Sequence, residues 1–128
     1  ADARALACSD RLPARIRATL APTFCRYALD AVCIEVFRRR ALAAGARHHE
    51  VEDALARAHG TGPLAALALF GDASRGGEVL PWINRRLGRR MGDVFRLAKG
   101  AGHSAFEGLD LQAFINDVAR LAEGLRAA

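Results

Sequence analysis

The sequence predicts an all-α protein, a compact up-and-down helical bundle of about five to seven helices. Hydrophobic residues make up 52% of the 128 positions but aromatics only 6%. Ala and Leu supply most of that apolar content, a mix that favours helix over strand. Apolar positions recur at i, i+3, i+4 and i+7 in one segment after another. No segment alternates as a strand does, and nothing repeats.

The length fits one domain over residues 1–128 with a single core. No apolar run approaches the roughly 20 residues of a membrane span, and no secretory leader is visible. The chain begins with Ala rather than Met, as expected of a processed chain or a fragment of a larger protein.

Asp10 can cap a first short helix with Leu12, Ile16 and Leu20 on one stripe, Pro13 being tolerable in its first turn. Pro22 is expected to open, or kink into, a long helix that stops near Gly45, with Leu29, Val32, Cys33, Val36 and Phe37 as its buried face. A third helix is expected from about Glu50 to His59. It turns Val51, Ala54, Leu55 and Ala58 inward and carries Glu50, Glu52 and Asp53 in its first turn, where the helix dipole favours acids. Gly60 would close it.

Residues 63–70, "PLAALALF", are apolar on all sides and should be buried. Residues 71–78, "GDASRGGE", read as a loop. "EVLPWINRRLG" and "RRMGDVFRLAKG" form two helices or one helix bent at Gly88. The last helix, Asp110 to Arg126, has the cleanest stripe: Leu111, Phe114, Ile115, Val118, Leu121, Ala122 and Leu125.

Cys25 and Cys33 lie eight apart on one predicted helix, about 12 Å along its axis, too far to bridge. Together with Cys8 they make an odd count without CxxC spacing, which points to reduced thiols used as core fillers in a cytoplasmic protein.

The net charge of +5 is concentrated. Residues 75–99 hold seven basic groups, Arg75, Arg85, Arg86, Arg89, Arg90, Arg96 and Lys99, against two acids, Glu78 and Asp93. The rest of the chain balances at twelve against twelve. Such a stretch is either a solvated face or a phosphate-binding surface.

On a helical wheel of residues 89–99, Met91, Val94, Phe95 and Ala98 cluster within about 100° as a core stripe. Arg96 falls about 150° from the centre of that stripe, beside Arg89 and Gly92. It therefore faces solvent, a ligand or a partner chain. His103 follows two turns on, after Gly100 and Gly102, which are expected to end the helix first.

Arg96, six intervening residues and His103, reached through "KGAGH" and followed by a last amphipathic helix, resemble the HEPN superfamily. That family consists of α-helical bundles with an Arg-x4-6-His motif near the final helices, and the architectural resemblance covers most of the chain. In active members the residue after the Arg is usually polar. Here it is Leu97, a departure that bears on catalysis more than on the fold.

The resemblance implies metal-independent RNA cleavage at a site shared by two chains, with no cofactor. Arg96 would hold the phosphate in a forked contact and stabilise its developing charge. His103 would take the proton of a ribose 2′-OH or give one to the leaving 5′-oxygen. A homodimer would supply the second pair, and Arg89, Arg90 and Lys99 would position the RNA backbone without reading its sequence. Such an enzyme would be of the toxin or phage-defence type.

Two alternatives stay open. One is a non-catalytic HEPN-like module that assembles subunits or senses nucleotides for a larger protein, such as an ATPase. The other is a plain helical nucleic-acid-binding domain that uses the 75–99 stretch without His103.

Other constellations read as structural. His48 and His49, with Glu50 and Glu52, point to different sides of a helix and have no HExxH or CxxC partner, so no metal is expected. His59 suits a helix end, and Trp82 is read as core rather than a base-stacking platform. Arg38-Arg39-Arg40 is read as a solvated face or a partner contact.

Overall fold

The computed structural model describes residues 14–100 and 110–128, and their side chains from residue 22 onward. The described residues form six α-helices and no strand: α1 (Ala14–Ala43), α2 (His48–Arg57), α3 (Thr61–Phe70), α4 (Val79–Arg86), α5 (Arg89–Gly100) and α6 (Leu111–Ala127). The all-α reading holds. None of these helices is long and apolar enough to cross a membrane.

The long α1 is the axis of the fold and packs against α2, α3, α5 and α6. It is unbroken through Pro22, which therefore does not open it. A proline here removes the bond its N–H would have donated one turn back. Pro22 is itself buried, however, in line with Cys25 and Leu29, so packing of that face offsets the loss. The Asp10 cap and Leu12 lie outside the described residues. At the other end Gly45, at φ +96°, lets Ala46 N–H reach back to the Ala41 carbonyl at 3.0 Å, a left-handed glycine stop.

Helix α2 begins two residues earlier than expected and ends at Arg57. His48 and His49 thus fall in its first turn, exposed. Gly60, at φ +99°, does not close α2 but stands at the N-terminus of α3. Helix α3 starts at Thr61, so Pro63 falls in the first turn, where a missing N–H costs nothing. Its residues are buried from Leu64 to Ala68, as an all-apolar segment requires.

The expected loop at 71–78 is instead a 3-10 segment, Ala73–Glu78, kinked at Arg75. Asp72 caps it by accepting from Ser74 N at 2.9 Å and Ser74 Oγ at 2.7 Å. Arg75 forks onto Glu78 at 2.7 and 2.8 Å and lies 4.2 Å from the Phe70 ring centroid. These side-chain bonds hold a turn-rich sequence in helical form.

Helices α4 and α5 are separate, divided by Gly88 at φ +99°. Helix α6 is capped by Asp110, whose side chain accepts from Ala113 N at 3.2 Å. Its Phe114, Ile115, Val118, Leu121 and Leu125 are buried. Cys25 and Cys33 are free thiols in the core, and Cys8 lies outside the described residues. Trp82 is only half-buried, packed on the core with the Arg86 guanidinium 5.8 Å from its ring centroid.

Candidate nucleic-acid interface

The core stripe of α5 is as the wheel places it: Met91, Val94, Phe95 and Ala98 are buried while Arg89 and Arg96 are exposed. Gly92 is buried as well, because α4 crosses there. A β-carbon at Gly92 would collide with the Asn84 side-chain amide and stand 3.2 Å from Leu80 Cδ1. The absence of a side chain at 92 is what lets α4 approach α5 so closely.

Along this crossing runs an open depression of about 360 Å³ lined by Leu80, Asn84, Arg89, Asp93 and Arg96. Arg89 and Arg96 are seven residues apart on one edge of α5, about 10.5 Å along its axis. Asp93 stands between them, and its Oδ1 accepts from Arg96 Nη2 at 3.0 Å. Both partners of this pair are largely in solvent, at 66% and 58% exposure. Arg85 and Arg86 are also exposed on α4, but neither lines the depression, and Arg86 turns to the Trp82 side of the helix.

The other predicted contacts separate from this edge. Arg90 turns toward α6, where its Nε and Nη2 meet Asp117 Oδ2 at 3.4 and 3.1 Å. The end of the Lys99 side chain lies over Gly62 at the start of α3, its Nζ 3.6 Å from where a β-carbon at 62 would sit. His103 lies outside the described residues. The structure thus brings Arg89 and Arg96 together and leads Arg90 and Lys99 to neighbouring helices.

Sequence reasoning missed Asn84 and Leu80, because only the α4–α5 crossing carries them to the site. Asp93 was legible as the i+4 neighbour of Arg89 and the i−3 neighbour of Arg96.

Among the described residues, no three His, Cys, Asp or Glu side chains group in a way that could hold a metal ion. What the depression offers is two guanidinium groups, an amide and one competing carboxylate, a donor-rich set suited to an anion with several acceptor oxygens. Comparison with protein-family models, curated proteins and solved structures gave no significant match for the chain.

Proposed function

We propose that this chain is a HEPN-like, metal-independent endoribonuclease of the toxin or phage-defence type. In this reading Arg96 holds the scissile phosphate and His103 moves the proton at a homodimer interface. The observation that carries it is the pairing of Arg96 with Arg89 on one exposed edge of α5, opening on the depression beside Asn84.

A forked guanidinium contact at Arg96 neutralises a phosphate as its phosphorus becomes five-coordinate. The ribose 2′-oxygen attacks, a 2′,3′-cyclic phosphate forms, and the bond to the 5′-oxygen breaks. One histidine accepts the 2′ proton and a second supplies one to the departing oxygen, which two chains provide. Arg89 extends the phosphate contact along the same edge of α5 without selecting a base.

Leu97 supports a second reading, a non-catalytic HEPN-like module for subunit assembly or nucleic-acid binding within a larger protein. It packs against the core, where active members carry a polar side chain beside the arginine.

The deciding experiment is cleavage of a mixed tRNA and single-stranded RNA pool in EDTA by the wild type, Arg96→Ala and His103→Ala. Folding and oligomeric state are checked for each. The enzyme reading expects both variants to lose activity by about 100-fold or more. Salt-dependent RNA binding without cleavage supports the module, and equal cleavage by all three proteins rules out the Arg–His pair.

A further inference from the structure

We infer that Asp93 is a built-in competitor for the anion that Arg96 receives, one that a phosphate must displace. The inference rests on the reading above, in which Arg96 contacts phosphate.

Three observations lead to it. The Asp93 carboxylate holds Arg96 Nη2 at 3.0 Å, so the group meant for a phosphate already has an anion in the free protein. Asp93 is the only acid among the described residues lining the depression, and it stands between two arginines rather than at their rim. Arg89 makes no ion pair among the described residues, so the site carries two cations and one internal anion.

The strength of the competitor follows from its exposure. With both partners largely in solvent, the pair is screened and weak, about 0.2–1 kcal/mol. A carboxylate held this loosely yields to a phosphate that Arg89 and Arg96 grip together. A weak or singly charged anion, gripped by Arg96 alone, displaces it less readily. The pair therefore biases the site toward a polyanion over isolated small anions. Neutralising Asp93 should tighten binding by about 1.4- to 5-fold, the fold-change equivalent of that pair.

The test is fluorescence anisotropy with a labelled 2′-O-methyl oligouridylate, which cannot be cleaved through its 2′-oxygen, at fixed salt in EDTA. Asp93→Asn is expected to bind about 1.4- to 5-fold more tightly than the wild type. Asp93→Glu keeps the pair and should bind as the wild type does. Asp93→Asn combined with Arg96→Ala should bind no better than Arg96→Ala alone.

Glu123→Gln is the control for net charge, because Glu123 makes an exposed i,i+3 pair with Arg126 on α6 at 2.6 Å. Tightening by Glu123→Gln equal to that of Asp93→Asn makes the effect one of overall charge and overturns the inference. Binding by Asp93→Asn no tighter than wild type, while Arg96→Ala weakens, overturns the competitor but leaves the phosphate contact standing. Unchanged binding by Arg96→Ala removes the contact and the inference with it.

Discussion

Arg90 holds Asp117 across the α5–α6 contact, with two of its nitrogens on the single oxygen Oδ2 at 3.1 and 3.4 Å. The two ends of this pair differ in environment. The Asp117 side chain is 12% exposed and that of Arg90 71%. The carboxylate's other cation, Arg120, stands 3.9 Å from Oδ1. Removing Arg90 therefore leaves a nearly buried carboxylate with one distant partner, whereas removing Arg89 exposes nothing.

Arg90→Ala should accordingly destabilise the fold by about 1–3 kcal/mol, and Arg89→Ala by no more than about 0.5 kcal/mol. Urea denaturation of the two variants measures the contrast. Adding Asp117→Asn to Arg90→Ala should recover part of the loss. Equal stabilities for the two single variants would show that the pair contributes nothing.

Arg38, Arg39 and Arg40 make a second graded series. Arg38 forks onto Glu52 of α2, Arg39 donates to the Arg126 carbonyl at the end of α6, and Arg40 donates to the Ala68 carbonyl in the last turn of α3. A run read from sequence as a solvated face or partner contact ties α1 to three other helices. The Arg40 bond is the shortest to a carbonyl, at 2.8 Å, and is partly buried. It also satisfies a helix-end acceptor that the helix itself leaves open.

Thermal melts should therefore rank the alanine variants. Arg40→Ala should cost about 1.5–3 kcal/mol as a charged hydrogen bond lost. Arg38→Ala should cost up to about 1 kcal/mol as an exposed pair, and Arg39→Ala about 0.5 kcal/mol or less. A melt in which Arg39→Ala is the most damaging would contradict the assignment.

Leu29, Val36, Leu121 and Leu125 were legible in the sequence because a buried helix face repeats every 3.6 residues whatever it packs on. The same periodicity placed Arg96 and Arg89 on one outer edge. It could not tell Arg89 from Arg90, two adjacent arginines that differ because α4 passes one and α6 the other. Nor could it read Gly92, whose missing side chain matters only once α4 crosses it. "GDASRGGE" was read as a loop because its residues favour turns. The Asp72–Ser74 and Arg75–Glu78 bonds that hold it as 3-10 are short-range, but Arg75 also lies over the Phe70 ring of α3, a contact turn propensity does not register. Tertiary neighbours decided what periodicity left open.

Buried thiols give a chemical prediction. Burial pushes the Cys25 thiol up to about 11, and burial together with the nearby Asp30 carboxylate pushes Cys33 up to about 12. The reactive species is the thiolate, so at mildly alkaline pH both remain protonated and enclosed. Iodoacetamide followed by peptide mass spectrometry should leave Cys25 and Cys33 unmodified in the native protein and modify both in urea. Rapid native labelling of Cys33 would mean that α1 opens from the core far more often than its packing implies.

Asp30 ties acid stability to the α1–α3 contact. Its Oδ1 is buried and has no hydrogen-bond partner among the described residues. Thr61, at the start of α3 and itself 4% exposed, is the polar neighbour that favours its charged form. Burial raises the carboxyl above its ordinary 3.8, opposed by the Thr61 hydroxyl and the Arg26 charge. A carboxyl with a raised value in the folded state keeps its proton where the unfolded chain has already lost it. Stability therefore falls as pH rises from 3.8 toward the folded value, and the whole penalty is present above it.

Asp30→Asn keeps the size and polarity of the side chain and removes the ionisation. The variant should be more stable than the wild type at neutral pH. Its advantage should shrink as pH falls through that interval, as urea midpoints measured from roughly pH 7 to 3 would record. An advantage independent of pH would place the effect in packing, and a less stable variant at neutral pH would show that the charged form of Asp30 is the one the fold favours.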